Sequence, residues 1–414
     1  MILPKLISAL GCVVFILVAW LMSNGKKHFP WRAVMGGLAI QFAFGLFILK
    51  TSMGVSIFSA LQKAVDKLGD FSGQGAAMVF GPLASADPLI KAFGPQSPVI
   101  FGIYITATII FISALSTFLY HYGILQKVVQ GMAYVMQRLM KTTGSESLAA
   151  AANIFVGQTE AALIIKPYIS GMTKSEILAL MTAGMATIAS GVMIVYANMG
   201  IAAGHLLTAS VLSAPASLLI AKVMFPERET PQDYKAGSLF KIDTVNGIDA
   251  LCRGASEGTA LAINVLGMLI AFVAFVAMVN FLFSAVQGWI GIAHPITMQN
   301  ILGYLNAPFA WLMGVPARDC NLIGQILGER IVLNEFIGYI DLLAKKDQLT
   351  ERSMILATYA LCGFANFASI AIQIGGIGAI APERRGDLAR LGVKSMVGGL
   401  LASYITAAIA GILL

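Results

Sequence analysis

The chain has 414 residues, of which 58% are hydrophobic and only 11% are charged. Soluble globular proteins carry about 25% charged residues, so this composition excludes a soluble enzyme or binding domain and indicates a polytopic membrane protein. The net charge of +7 comes from short Lys and Arg clusters between apolar stretches. Such clusters are typical of cytoplasmic loops and do not indicate a nucleic-acid partner.

Apolar stretches long enough to cross a bilayer, about 20 residues each, recur along the whole chain. In chain order we expect eight membrane spans, within 6–22, 33–49, 99–120, 177–198, 201–221, 258–317, 353–373 and 395–414. Segments 57–70 and 124–141 have one apolar and one charged face, which predicts helices that lie along the membrane surface. The polar stretch 226–257 should form a loop followed by the start of a helix.

Basic residues predict the orientation of the spans. The clearest clusters follow the first span and precede the last: Lys26, Lys27, Arg32, Arg384, Arg385 and Arg390. Because cytoplasmic loops collect Lys and Arg, both clusters should be cytoplasmic. With eight spans, both termini are then expected outside the cytoplasm.

Two segments fit neither a plain span nor a surface helix. Segment 148–165 is apolar but interrupted by polar residues in its middle, and 312–345 carries several charges among leucines and isoleucines. A charge at the centre of a spanning helix costs about 2.5–3.5 kcal/mol, and irregular backbone at that depth must be buried in protein or line a cavity. We therefore expect two re-entrant helical hairpins whose tips lie in the protein interior.

One small-residue phrase occurs twice, as GMATIAS at 184–190 and GFANFAS at 363–369. Each copy follows one of the predicted hairpins, which carry Glu160 and Glu335. Either phrase alone could be a helix-packing face, but paired interrupted segments in two halves of a membrane protein indicate a transporter's binding site. We therefore predict an all-α polytopic membrane protein with an inverted internal repeat.

The repeat divides the chain into four parts. We expect N-terminal spans and scaffold elements in 1–143, a first repeat in 144–225, a loop and a scaffold span in 226–311, and a second repeat in 312–414.

Several motifs resemble those of the concentrative nucleoside transporter family, and they occur in the same order as in that family. They are GQTEA at 157–161, ASEGTALAINV at 255–265, LNEF at 333–336 and CGFANFASIAIQIGGIG at 362–378. The resemblance covers about 144–400, whereas 1–143 match only in apolar layout. It implies a homotrimer in lipid. The expected location is a bacterial inner membrane, in which the termini placed outside the cytoplasm by the basic clusters would be periplasmic. The resemblance also implies uptake of nucleosides such as uridine, driven by sodium or, in some bacterial branches, by protons. No cofactor and no nucleic-acid partner are expected.

The resemblance also assigns residues to the nucleobase. These lie at the tip of the first hairpin: Gly157, Gln158, Thr159 and Glu160. A Gln amide presents a donor and an acceptor in one plane, which suits the imide edge of a pyrimidine. Val192 and Phe364 would add apolar contacts, although such residues can equally be ordinary packing. The alternative for the tip is a capped helix start with a solvated Glu160.

The ribose is assigned, again by resemblance, to Glu335, Asn366 and Ser369. An ionised carboxylate only accepts hydrogen bonds, which suits sugar hydroxyls, and Asn and Ser can donate or accept. The alternative is that Glu335 forms a structural ion pair with Arg318 or Arg330.

Four residues are candidates for holding sodium, which needs several oxygen ligands where helices break. Asn153 and Val156 precede the first hairpin tip and are assigned by resemblance. Thr187 and Ser190 are assigned from the repeat, since they occupy in the first phrase the positions of the sugar-facing Asn and Ser in the second.

The leading hypothesis is thus a secondary transporter that imports nucleosides with sodium. Proton coupling is its nearest rival, although the neutral oxygens of the candidate site favour sodium. An intramembrane enzyme could use Glu160 and Glu335 as a carboxylate pair, but the sequence shows no nucleophile–base set and no metal cluster. A passive channel would be expected to show pore-lining symmetry, not asymmetric hairpins.

Overall fold

The computed structural model describes residues 2–94, 100–231, 244–290 and 296–414. Within these ranges the regular structure is entirely helical, with nineteen α-helices and four short 3₁₀ helices. This confirms the predicted all-α fold.

The N-terminal part contains six helices: α1 (Ile2–Leu21), α2 (Trp31–Lys50), α3 (Ser52–Phe80), α4 (Ala86–Phe93), α5 (Phe101–His121) and α6 (Ile124–Met140). Helices α3 and α6 contain the two predicted amphipathic segments. Helix α3 is longer than the charged pattern of 57–70, since the residues that follow it continue the helix to Phe80.

The first repeat contains the predicted broken elements. Its helices are α7 (Gly144–Ala152), α8 (Glu160–Ile164), α9 (Lys166–Ile169), α10 (Lys174–Ala186), α11 (Ser190–Asn198) and α12 (Ala203–Met224). Helices α7 and α8 are the two halves of the first hairpin, separated by a non-helical tip. The first small-residue phrase is where α10 ends and α11 begins, and its residues Thr187 and Ala189 have extended backbone.

The second repeat follows two helices that separate it from the first, α13 (Gly247–Trp289) and α14 (Met298–Leu312). Its own helices are α15 (Cys320–Val332), α16 (Glu335–Ala344), α17 (Glu351–Leu361), α18 (Phe367–Ile380) and α19 (Arg385–Leu413). Helices α15 and α16 pack against each other as the second hairpin. The second phrase separates α17 from α18, as the first separates α10 from α11.

Six helical segments within the described ranges are long and apolar enough to cross a membrane: Ile2–Leu21, Trp31–Lys50, Gly102–His121, Lys174–Asn198, Ala203–Met224 and Pro382–Leu413. The sequence predicts eight spans. The other two predicted stretches correspond to the apolar part of α13 and to the α17–α18 pair, whose break leaves two shorter helices.

The first repeat starts at the C-terminal end of α1. The backbone N–H of Asn24, just after α1, donates to the carbonyl oxygen of Met224 at 3.1 Å. The adjacent Phe225 carbonyl accepts from the hydroxyl of Ser175, on the first turn of α10, at 2.7 Å. Helix α10 therefore begins on this side of the molecule.

The second repeat starts at the opposite end of α1. Ser8, in the first half of α1, donates from Oγ to the carbonyl oxygen of Met313 at 2.8 Å. Arg352, on the first turn of α17, donates from Nε to the neighbouring Gly314 carbonyl at 3.0 Å. Because α10 and α17 begin at opposite ends of a helix about 30 Å long, the two repeats run in opposite directions, as predicted.

The basic clusters of the sequence lie on one side. Lys394 donates from Nζ to the side-chain oxygen of Asn24, which joins the first third of α19 to the loop after α1. Arg384 donates to the carbonyl oxygens of Ile169 and Ser170 at 3.2 and 3.0 Å, beside the start of α10. Both clusters therefore share one face, as a common cytoplasmic location requires.

The two breaks touch each other at the centre of the molecule. The N–H of Phe364 donates to the carbonyl oxygen of Thr187 at 3.3 Å. The two glycines of the repeated phrases permit this approach: a Cβ on Gly363 would lie 2.7 Å from a carbonyl oxygen of α10, and one on Gly184 would lie 2.8 Å from Cβ of Gln158. Small residues recur in both copies because main chain and hairpin tip pass this closely.

Candidate functional site

A cavity lies where the two hairpin tips and the two helix breaks converge. It encloses about 110 Å³, and helices α5 and α13 form its opposite wall through Ile109, Leu261 and Val265. Its lining includes all nine residues that the sequence predicts for nucleoside binding: Gly157, Gln158, Thr159, Glu160, Val192, Glu335, Phe364, Asn366 and Ser369. The structure thus brings together residues from four separate segments.

Glu335 is the first residue of α16 and is 5% exposed. One carboxylate oxygen accepts a hydrogen bond from the Tyr196 hydroxyl at 2.9 Å, and the other accepts from Nδ2 of Asn366 at 3.1 Å. A carboxylate has about four lone-pair sites, so these two hydrogen bonds do not use all of its capacity to accept. The carboxylate is held in place and still has acceptor capacity.

Asn366 is the N-cap of α18, and its side-chain oxygen accepts from the backbone N–H of Ser369 at 2.9 Å. This cap exists because the second phrase interrupts the helix just before it, leaving the first N–H groups of α18 without intrahelical partners. The same interruption turns Asn366 toward Glu335. Asn366 therefore both caps the start of α18 and forms part of the site.

The two arginines that could have neutralised Glu335 have other partners. Arg318 pairs with Asp319, with 3.3 Å between Nε and Oδ1, and its side chain is 71% exposed. Arg330 is buried and donates to the carbonyl oxygen of Ala360, and to Oγ of Ser403 at 3.0 Å. No ion pair of Glu335 with either arginine occurs among the described residues.

Gln158 at the first hairpin tip is oriented by Gln373 of α18. The Gln373 amide donates to the carbonyl oxygen of Met181 at 3.0 Å, which fixes its nitrogen on that side. The same nitrogen donates to Oε1 of Gln158 at 3.0 Å. Gln158 must then direct its NH₂ group elsewhere, so this donor is available to an acceptor such as a base carbonyl.

The rest of the tip is compact. Thr159 donates from Oγ1 to the carboxylate of Glu160 at 3.2 Å, and Glu160 begins α8. A Cβ on Gly157 would lie 2.2 Å from a carboxylate oxygen of Glu160. Only glycine therefore allows that carboxylate to fold back over the tip.

Two of the four candidate ion ligands are fully buried, and two line a second chamber beside the cavity. Asn153 donates from Nδ2 to the Ala149 carbonyl at 3.0 Å, whereas its side-chain oxygen has no hydrogen-bond partner among the described residues. The hydroxyl of Thr187 donates to its own helix, and its carbonyl accepts from the second break. Val156 and Ser190 line the chamber.

The comparisons with known proteins agree with this geometry. Residues 10–83 match a family model described as Na⁺ dependent nucleoside transporter N-terminus, and residues 205–411 match the corresponding C-terminus. Residues 103–203, which include the first hairpin, match a model described as Nucleoside recognition.

Two bacterial relatives match over almost their full length. An uncharacterized transporter of Haemophilus influenzae is 43% identical, covering 98% of this chain and 97% of the relative. The nucleoside permease NupC of Helicobacter pylori is 37% identical, covering 100% and 98%. The structure of CNTnw in an inward-facing substrate-bound state superposes with a TM-score of 0.94 at 37% identity, covering 99% and 98%.

The chain belongs to the concentrative nucleoside transporter family. Nucleoside transport is therefore the activity of the family to which this chain belongs. The alternative of an intramembrane carboxylate enzyme is wrong, because the family and its structural neighbours are transporters.

Sequence reasoning missed two residues that position the transporter's site. Tyr196 donates to Glu335, and Gln373 orients Gln158. Both were visible as isolated polar groups in apolar helices, which are functional suspects by default. Gln373 also lies one helical turn after Ser369, on the same face of α18.

Proposed function

We propose that the transporter imports nucleosides by symport with sodium. One observation carries the choice of ion: the side-chain oxygen of Asn153 is buried with no hydrogen-bond partner among the described residues. Burying an unpaired polar atom costs about 1–3 kcal/mol, and a cation at this oxygen would offset that cost. The family description names sodium dependence, which supports the same assignment.

Proton coupling is the alternative for the same family. A proton must be carried by a group that titrates near the working pH, whereas the amide of Asn153 and the hydroxyls of Thr187 and Ser190 stay neutral. Oxygens of this kind suit a small hard cation at a helix break. The donor set therefore favours sodium.

The nucleoside would lie between the hairpin tips. In this proposal Glu335, Asn366 and Ser369 read the ribose hydroxyls, and Gln158, Thr159 and Glu160 read the base. The held carboxylate of Glu335 supports the sugar role, since its free acceptor sites face the same cavity. Gly157, Val192 and Phe364 would complete the walls.

The larger assembly follows from the same family. We propose a homotrimer in the bacterial inner membrane with both termini periplasmic. In each protomer the two repeats, 144–225 and 312–414, would form the moving transport domain against a scaffold of the remaining helices. The shared face of the basic clusters supports this orientation.

Uptake into proteoliposomes tests the proposal. Purified transporter should accumulate labelled uridine when an inward sodium gradient is imposed, and should not do so in choline at equal osmolarity. A separate arm imposes an inward proton gradient without sodium. Accumulation that follows the proton gradient would contradict sodium symport while leaving nucleoside transport intact.

A further inference from the structure

A second, larger chamber adjoins the nucleoside cavity. It encloses about 280 Å³, compared with about 110 Å³ for the cavity itself. The two spaces share Gly157, Glu160, Ala189 and Leu261 as walls. Because Gly157 and Glu160 lie at the hairpin tip proposed to face the base, the chamber continues from the base end of the site and not from the sugar end.

Hydroxyl groups line one side of this chamber. Helix α5 contributes Ser113, Ser116, Thr117 and Tyr120 to its lining, and Ser190 adds another from α11. The oxygens of Ser116 and Ser190 are 3.3 Å apart. Apolar residues of the first hairpin form another side, and the charged side chains of Lys166, Arg253 and Glu257 also line the chamber. The chamber therefore combines space with placed polar groups, which is the usual character of a ligand site.

Tyr120 is the most informative of these residues. Its side chain lines the chamber and is 3% exposed, yet its hydroxyl has no hydrogen-bond partner in the described parts of the chain. Buried tyrosine hydroxyls usually find a partner, and an unpaired one costs about 1–3 kcal/mol. The hydroxyl oxygen has almost no accessible surface in this structure, so a small movement of the side chains beside the chamber would bring it to a group that enters there.

The volumes of the cavity and the chamber also indicate that the chamber belongs to the ligand site. Small-molecule sites typically enclose about 300–1,000 Å³, and the nucleoside cavity alone is smaller than this range. Together with the chamber it reaches the range. The cavity and the chamber together have the volume of a small-molecule site, and most of that volume lies next to the base.

We propose that this chamber is a subsite for substituents carried on the nucleobase. The transporter then accepts nucleosides whose base bears a short chain ending in a hydrogen-bonding group, and Tyr120 is the residue that recognises that end. The inference rests on the proposed function, because it uses the proposed placement of the base at the first hairpin tip.

Competition against labelled uridine on purified transporter tests the subsite. The probes are uridines carrying a hydroxypropynyl or a butynyl chain at C5, and cytidines carrying a hydroxypropyl or a butyl chain at N4. Two attachment points are needed because either edge of the base can face the chamber. In at least one series, the hydroxyl-ended compound should bind within about tenfold of its parent and about fivefold better than its apolar match, as expected for one hydrogen bond of about 1 kcal/mol.

Two substitutions test whether the chamber and Tyr120 cause the preference for the hydroxyl-ended compound. Tyr120→Phe removes an oxygen that has no hydrogen-bond partner among the residues that the structure describes. Folding and uridine affinity should therefore be unchanged, while the preference for the hydroxyl-ended compound disappears. Ser116→Met fills the chamber, and should weaken every extended compound at least about tenfold relative to uridine. The Tyr120→Phe result stands by itself if Ser116→Met fails to fold.

Three results would overturn the subsite. If uridine binds but all extended compounds are rejected, the chamber admits no base substituent. If Tyr120→Phe leaves the preference intact, Tyr120 does not recognise the chain end. If Ser116→Met weakens uridine as much as the extended compounds, the chamber is only a path for release. Wild-type protein that binds no uridine at all would instead contradict the proposed function.

Discussion

At the scale of single residues, the site depends on the Glu335 carboxylate, which hydrogen bonds hold in place and which can still accept further hydrogen bonds. Tyr196 and Asn366 each donate to one of its oxygens, and its remaining acceptor sites face the cavity. A carboxylate in this setting selects ligands by the number of donors that they bring. Ribose hydroxyls supply such donors.

Glu335→Gln should abolish most nucleoside binding while preserving the fold. The amide keeps the shape but places an NH₂ donor where sugar hydroxyls need an acceptor, and hydrogen bonds to charged groups are worth about 1.5–3 kcal/mol. Uridine affinity measured by isothermal titration should fall about tenfold to a hundredfold.

Asp341→Asn is the matched control for that substitution. Asp341 is a carboxylate on the same helix, but it pairs with Lys345 and does not line the cavity. It should bind uridine as the wild type does. Similar affinities for the two variants would remove Glu335 from the ribose role.

Among the elements, each hairpin is attached to its broken helix by a buried carboxylate. In the first repeat Glu176 accepts from the hydroxyls of Thr143 and Ser145 at 2.6 and 2.9 Å. In the second, Asp319 accepts from the hydroxyls of Thr350 and Ser353 at 2.8 and 2.6 Å. The carboxylate is on the broken helix in one repeat and on the hairpin in the other. Both arrangements fix the outer end of a hairpin, which leaves its tip to respond to ligand.

Asp319→Asn should destabilise the transporter. Its Oδ2 also accepts from the backbone N–H of Thr350 at 3.1 Å, so three donors would face an amide. Hydrogen bonds to charged groups are worth about 1.5–3 kcal/mol, and an amide in place of the carboxylate weakens all three. The midpoint of thermal unfolding in detergent should fall clearly below that of wild type.

Arg318, the exposed neighbour of Asp319, provides the control for this prediction. Arg318→Gln removes the partner of Asp319 at the surface, where ion pairs contribute about 0–1 kcal/mol. Its midpoint should stay near that of wild type. If the two variants unfold together, Asp319 does not anchor the second hairpin.

The sequence predicted the breaks well because their signal is local. Small residues, lone polar residues and a glutamate in an apolar stretch each have a direct physical cost in a membrane, so 148–165 and 312–345 stood out. The partners of these residues were harder to predict, because Tyr196 and Gln373 reach Glu335 and Gln158 only through the packing of distant segments. Among the described residues, length and apolarity alone recognise six of the eight predicted spans, in part because the break at 362–366 divides one apolar stretch into two shorter helices.

For the whole molecule, the proposed ion and nucleoside sites lie on the same interrupted elements. The carbonyl of Thr187 accepts from the N–H of Phe364, and the N–H of Ser190 donates to the carbonyl of Phe155 at 3.3 Å beside the first hairpin tip. An ion that orders one of these segments also restricts the motion of the segments that are hydrogen-bonded to it. Binding of sodium and of nucleoside should therefore be coupled.

Sodium should raise uridine affinity, and uridine should raise sodium affinity by the same factor, because linkage is reciprocal. Asn153→Leu should remove this dependence and lower uridine affinity without unfolding the protein. Isothermal titrations in sodium and in choline measure both quantities.

Asn306→Leu serves as the reference for Asn153→Leu. Asn306 is also a buried amide that donates to the carbonyl four residues earlier, at 2.9 Å, but it lies on α14 away from the breaks. It should keep the full sodium dependence. Equal uridine affinity of wild type in the two salts would contradict the sodium site.

The hydrogen bond between Phe364 and Thr187 has a consequence for mutagenesis. It joins the two halves of the molecule through main-chain atoms alone, so changing either side chain to alanine leaves its donor and acceptor in place. An alanine scan would therefore report only the contributions of the two side chains, and it would not detect the main-chain hydrogen bond. Only removal of the amide hydrogen, by proline or by an ester at position 364, would expose how much the halves depend on it.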